Sequence, residues 1–164
     1  MSENNELVIT REFAAPRDLV FKVWSEAEHL KNWWGPKGSK LEVARMDFRP
    51  GGVFHFKLMY PEGPDMWAKF TYLVAESPER IVYVSSFSDP EGQIVRAPFS
   101  DMFPLEIRNE VLFTEAEGKT IITLTGTPIN MSVEEMDFYK GMFDSMNHGF
   151  RGTFDQLAEY LEEV

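Results

Sequence analysis

The chain has no cysteine among its 164 residues, which removes disulfides, thiolate nucleophiles and thiolate metal sites together. Basic residues are scarce: 16 lysines and arginines stand against 27 aspartates and glutamates, a formal net charge of −11. A surface of that sign repels phosphate backbones and anionic bilayers, so neither nucleic acid nor a membrane is expected as a partner. No apolar run approaches the roughly 18 residues that a membrane-spanning helix needs. Residues 1–6 are polar and acidic, without the basic start and apolar core of a signal peptide, and a cytoplasmic location is the expectation that follows. Histidine is rare as well, at 3 residues. No His-Glu-x-x-His spacing and no Gly-x-Ser-x-Gly elbow occurs, so no metal, cofactor or catalytic set is expected.

What the chain does have is bulk. Hydrophobic residues make up 43% and aromatics 14%, including 14 phenylalanines, enough for one well-buried core and too little chain for two. One domain over residues 1–164 is the resulting expectation. Glu6–Phe13 reads as a strand, and Pro16 suits the first position of a helix, where a missing N–H costs nothing. Leu19, Val20, Val23 and Trp24 share one side of that helix. Ser25 with Glu28 has the spacing of a capping box for a second short helix, which Gly35-Pro36 stops.

Strands follow at short intervals: Lys40–Phe48, Val53–Tyr60, Met66–Glu76, Arg80–Ser88, Leu105–Glu115 and Lys119–Thr127. The turn Arg49-Pro50-Gly51-Gly52 joins the first two, with glycine supplying the positive φ. Asp47 and Arg49 share a strand face beside it and are expected to pair. Between Asp89 and Pro104 runs a long loop with three prolines and no period, a length that suits an apolar flap carrying Phe99, Met102 and Phe103.

Ser132 to Val164 reads as one long amphipathic helix. Ser132 and Glu135 form a capping box at its start. Met136, Tyr139, Phe143, Met146, Phe150, Phe154, Leu157 and Leu161 make a single apolar stripe. At 1.5 Å per residue it would span roughly 46 Å, and only the strands are long enough to receive it. The order of strand, two short helices, six strands and a long helix predicts an α+β domain. Its curved antiparallel sheet of about seven strands grips the last helix, leaving a place for a pocket between them.

Several fragments, in order, carry a resemblance. They are Phe13-Ala14-Ala15-Pro16, Trp24, Leu30 with Trp33-Trp34-Gly35-Pro36, Asp47-x-Arg49-Pro50-Gly51-Gly52, Ser77-Pro78-Glu79-Arg80-Ile81 and Leu157-Ala158-Glu159-Tyr160-Leu161. Together they resemble the START-like, helix-grip (SRPBCC) superfamily. Within it they are similar to the branch named for homology to the C-terminal domain of the activator of the heat-shock-protein-ninety ATPase. Gly149-Phe150 stands where that family commonly has Gly-Trp, and Ser77 where it often has a second proline. The resemblance implies a hydrophobic cavity between sheet and helix, with no catalytic motif to transfer.

Wall candidates are Phe54, Phe56, Phe70, Tyr72, Phe143, Met146 and Phe150, with Trp33 and Trp34 nearby. Asn109 alternates with Leu105, Ile107, Val111 and Phe113, and Asn147 lies about 40° from the stripe centre at Phe143. Each amide either bonds to protein groups or offers the cavity a polar handle, since an unpartnered buried amide is costly. His29, His55 and His148 are expected to face solvent. Gly141, Ser145, Gly149 and Gly152 form a small-residue row opposite the stripe, which suggests close packing against a second copy, a homodimer. The expected function is binding of a small hydrophobic or amphipathic molecule. The alternatives are a chaperone ATPase-regulating interaction domain and an enzyme of the cyclase or hydrolase kind using the same cavity.

Overall fold

The computed structural model describes residues 6–164. β1 (Leu7–Phe13) leads into α1 (Arg17–Ser25) and α2 (Ala27–Leu30). Six longer strands then follow: β2 (Lys40–Met46), β3 (Val53–Met59), β4 (Met66–Glu76), β5 (Arg80–Ser88), β7 (Glu106–Ala116) and β8 (Lys119–Ile129). A two-residue β6 (Ile94–Val95) lies between β5 and β7, and the chain closes with α3 (Val133–Gly141) and α4 (Phe143–Leu161). The sheet order is β1-β8-β7-β5-β4-β3-β2, with β6 paired to β5. Every pairing is antiparallel, as hairpin-linked strands with tight turns require. The α+β helix-grip expectation holds, and β6 is an addition to it.

Period-two alternation decides which face each strand buries. In β8, Thr120, Ile122, Leu124 and Gly126 turn inward while their neighbours are half-exposed. The turn at Arg49–Gly52 is stitched to β4, where Gly51 N donates to the Tyr72 carbonyl at 2.8 Å and Tyr72 N to the Gly52 carbonyl at 2.9 Å. Gly51 has the positive φ of 85° that the turn demands. Arg49 Nε donates to Asp47 Oδ2 at 2.8 Å, and at this exposure the pair contributes no more than about 1 kcal/mol.

The final helix is not continuous. α3 ends at Gly141, and Met142, at φ −98° and ψ 2°, separates it from α4. Glycine weakens the helix there, and Met142 N turns to the Tyr139 carbonyl at 3.0 Å, an i→i−3 bond that tightens the turn. The Ser132–Glu135 capping box forms in both directions. The Ser25–Glu28 box does not. Ser25 belongs to α1, its hydroxyl donates to the Lys22 carbonyl, and Glu26 is the N-cap of α2. Pro16 likewise caps α1 from outside rather than opening it.

α4 buries Thr153, Phe154, Leu157 and Leu161 against the sheet. It is tied to the segment after α2 by Thr153 Oγ1, which donates to the Gly35 carbonyl at 3.0 Å. Gln156 Nε2 donates to the carbonyls of Trp33 and Gly35 at 3.1 and 2.8 Å. Those bonds fix where Trp34 stands.

Candidate functional site

The concave face has two unlike ends. At one, Phe13, Phe21, Trp24, Phe113 and Phe154 fill the space between sheet, α1 and α4. Trp24 lies 6.0 Å from Phe113 and 6.2 Å from Phe154, and Phe13 lies 5.9 Å from Phe154 edge-on. At the other end the helix and sheet do not meet. A cavity of about 280 Å³ remains, walled by β3, β4, β5 and β7, by the ends of β1 and the loop before β7, and by α3 and α4. Trp34 divides the two, 5.6 Å from Trp24 on one side and 5.3 Å from Phe70 on the other.

Trp34, Phe56, Phe70, Asn109, Met146 and Phe150 of the sequence-derived candidates come together on the cavity wall. Trp33, Phe54, Tyr72, Phe143 and Asn147 do not. Trp33 is buried beneath Trp24, its Nε1 donating to the Val23 carbonyl at 3.0 Å. Phe54 packs behind the wall against Phe56 and Phe70. Tyr72 meets Phe48 at 4.8 Å in the filled end. Phe143 follows the helix break and packs on Tyr139. Asn147 is exposed, donating to the Phe143 carbonyl one turn back, and it borders a separate shallow groove with Thr10, Arg11 and Arg151.

The residues that sequence reasoning left out of the site are instructive. Ile107 shares the Asn109 face, and Tyr139 lies on the apolar stripe, so alternation and periodicity could have placed both. Ser85 carries no local signal, because its position depends on the pairing of β5 with β7, Ser85 opposite Ile107. Phe103 and Leu105 reach the wall from the Asp89–Pro104 loop and its end. That loop is anchored rather than free. Phe87, Phe99 and Phe103 pack edge-on against one another, and the Arg96 guanidinium pairs with the Glu135 carboxylate of the α3 capping box. The Arg96 hydrogen bond, with the Ser132 backbone second, holds the Glu135 carboxyl below its ordinary range.

At the β7 side of the cavity the polar groups converge. Asn109, 6% exposed, directs Nδ2 to Ser85 Oγ at 2.9 Å and to the Ile107 carbonyl at 3.1 Å. The Tyr139 hydroxyl donates to the Gly126 carbonyl at 2.8 Å. Gly126 has to be small. A Cβ there would lie 2.9 Å from the Tyr139 hydroxyl and 3.1 Å from Asn109 Oδ1. Burial raises the Tyr139 pKa above its usual value, so the hydroxyl keeps its proton at neutral pH.

The histidines stand elsewhere. His55 faces away from Phe56 as alternation requires, yet it is not solvated. Trp67 covers its ring at 5.0 Å, and its Nε2 lies 3.1 Å from Ser88 Oγ and 3.2 Å from the Asp89 carbonyl. His29 is half-buried, with Nδ1 2.7 Å from the Tyr160 hydroxyl. His148 is exposed. Among the described residues no cluster of carboxylates and histidines is arranged to hold a metal ion. Among the described residues no helix is long and apolar enough to cross a membrane. In the small-residue row, Gly141 and Gly149 face open space, and Gly152 lies over the Lys37 side chain.

A curved antiparallel sheet closed over a C-terminal helix, with an apolar cavity between them, defines a START-like helix-grip protein. The chain belongs to the family described as Activator of Hsp90 ATPase homolog 1-like protein, whose pattern matches residues 14–162. Solved structures share the fold. Protein Ms6760 from Mycobacterium smegmatis is 26% identical over 95% of this chain and 90% of its own, with a TM-score of 0.77. A protein from Arthrobacter aurescens is 23% identical over 99% and 91%, with a TM-score of 0.81. The AHSA1 protein from Silicibacter pomeroyi is 18% identical over 96% and 97%, at 0.72. No curated protein matches the sequence.

Proposed function

We propose that this chain, acting as a single domain, binds a small, largely apolar molecule in the cleft between sheet and C-terminal helix. One observation carries the reading. Where the opposite end of the same face is packed solid, about 280 Å³ is left open here behind aromatic and aliphatic walls. Ligand sites begin near that size, at roughly 300 Å³. An unfilled apolar hollow costs stability, since its lining loses dispersion contacts, and an occupant restores them. Among the described residues no aspartate, glutamate, lysine, arginine or histidine lines the cleft, which leaves Tyr60 and Tyr139 as its titratable side chains.

The neutral dye N-phenyl-1-naphthylamine tests the reading. Saturable, one-to-one fluorescence enhancement on the native protein is the expected result, and its absence would remove the proposal's support. A second reading, regulation of a chaperone ATPase, rests on the family's description and on the exposed Phe99 and Met102 beside the cleft. Its test is a change in the ATPase rate of Hsp90 on adding the purified chain.

A further inference from the structure

We infer that the cleft selects an uncharged ligand that presents a hydrogen-bond donor, an O–H or N–H, to Asn109 Oδ1 and the Tyr139 hydroxyl oxygen. This rests on the ligand-binding reading above and adds the polarity of the ligand. The amide and phenol protons at this corner are already committed. Asn109 has two amide hydrogens, and both are engaged, one on Ser85 Oγ and one on the Ile107 carbonyl. The carbonyl partner also fixes which end of the amide is nitrogen, because a carbonyl oxygen can only accept. The one hydroxyl proton of Tyr139 is engaged on the Gly126 carbonyl. Ser85 accepts from Asn109 and turns its own proton toward the Ile107 carbonyl at 3.5 Å. The amide and phenol donors of this corner are therefore spent on the protein, and the Ser85 hydroxyl is held only weakly.

Acceptor capacity is what remains. Asn109 Oδ1 receives no hydrogen bond among the described residues, and Tyr139 Oη keeps a lone pair. Both oxygens crowd the position that a Cβ at 126 would take, so glycine is what lets them stand there, and both residues line the cavity. Ser86 also lines the cavity, but it is not one of the hydrogen-bonded groups of this corner. Tyr60 follows β3, three strands across the sheet from β7. A carboxylate entering this corner would face two acceptor oxygens, with at most the Ser85 hydroxyl to donate, and no cation. An ammonium would donate well but would leave its charge in an apolar cleft without a counter-ion. A neutral hydroxyl, amide or heteroaromatic N–H satisfies the corner while an apolar body fills the rest.

Titration calorimetry with probes sharing one ring system tests this on the unaltered protein. 2-Naphthol carries a neutral donor, 2-methoxynaphthalene has none, and 2-naphthoate is an anion of the same body. The expected result is 2-naphthol binding about five- to tenfold more tightly than 2-methoxynaphthalene, the usual scale of one buried hydrogen bond, with 2-naphthoate at least about thirtyfold weaker than either. A cleft without this preference ranks the two neutral probes the other way, because the methyl ether is the more apolar. Asn109→Leu should bring the naphthol affinity down to that of the ether and leave the ether unchanged. Equal binding of the neutral probes, or naphthoate binding as well as naphthol, overturns the donor assignment and leaves the ligand-binding reading standing. Failure of every probe to bind overturns both.

Discussion

One helical turn separates Phe150 from Phe154, yet the two rings serve opposite ends of the same face. Phe154 is fully buried, touching Phe13 and Trp24, while Phe150 looks into the cavity from beside Trp34. The sheet carries aromatic side chains beneath both, Phe13 and Phe113 at one end and Phe56 and Phe70 at the other. What differs is the third layer. α1 delivers Val20, Phe21, Val23 and Trp24 over one end, whereas α3 brings only Met136 and Tyr139 onto Leu7 and Ile107 at the other. A helix-grip sheet is therefore hollow where the short helices stop, and the hollow is a consequence of chain placement rather than of small side chains.

The largest test of that contrast is a matched pair of truncations. Phe154→Ala should cost about 3–5 kcal/mol, transfer and cavity terms together. Phe150→Ala, at the edge of an existing void, should cost only about 1–2 kcal/mol. Urea unfolding of the two variants reads both, and equal losses would mean the two ends are packed alike.

Next is occupancy. Met146→Trp should fill the cleft and weaken N-phenyl-1-naphthylamine binding at least about tenfold, with stability changed by roughly 1 kcal/mol. Phe143→Trp, behind the helix break, should leave dye affinity within about twofold. Reversal of that order would place the binding site elsewhere.

A smaller effect is expected at the rim. Arg96→Ala removes the tie between the loop and α3, and amide exchange across residues 89–104 should quicken about two- to fivefold, the scale of an exposed ion pair. The sign with pH follows from Glu135. Its carboxyl pKa is lowered in the folded chain, so the pair contributes above the unfolded carboxyl's range and is lost as pH falls through the lowered value. Loop exchange, corrected for its intrinsic pH dependence, should rise in acid in the parent chain and stay flat in the variant.

The smallest effect tests the glycine row. With open space around a Cβ at Gly149, Gly149→Ala should stabilise by up to about 1 kcal/mol and leave light scattering unchanged. A drop in apparent mass would instead restore the packed-dimer expectation.

Much of this contrast is legible in the chain, for identifiable reasons. Strand alternation puts Phe56, Phe70 and Asn109 on the inner face, and the stripe on the last helix supplies Met146 and Phe150. Both are local periodicities. The burial of His55 is not legible, because alternation gives its direction but not Trp67 and the Asp89 turn that cover it. Nor is the separation of Trp33 from Trp34, one in the core and one on the cavity wall, since adjacent residues carry the same composition signal. The break after Gly141 was readable in part. A glycine within a helix is a weak point, and the apolar stripe continuing past it argues for continuity.

The pairing of Leu7 with Gly126 sets an order of events for a chain made from its N-terminus. β1 emerges early and waits without its partner until β8 has been synthesised, while β2 to β5 can form hairpins as they appear. The cavity comes later still, since Met146 and Phe150 supply its roof. Pairings this distant in sequence slow folding relative to local ones. A chain stopped before α4 would display the sheet's aromatic inner face uncovered, an aggregation-prone species rather than a domain missing one helix.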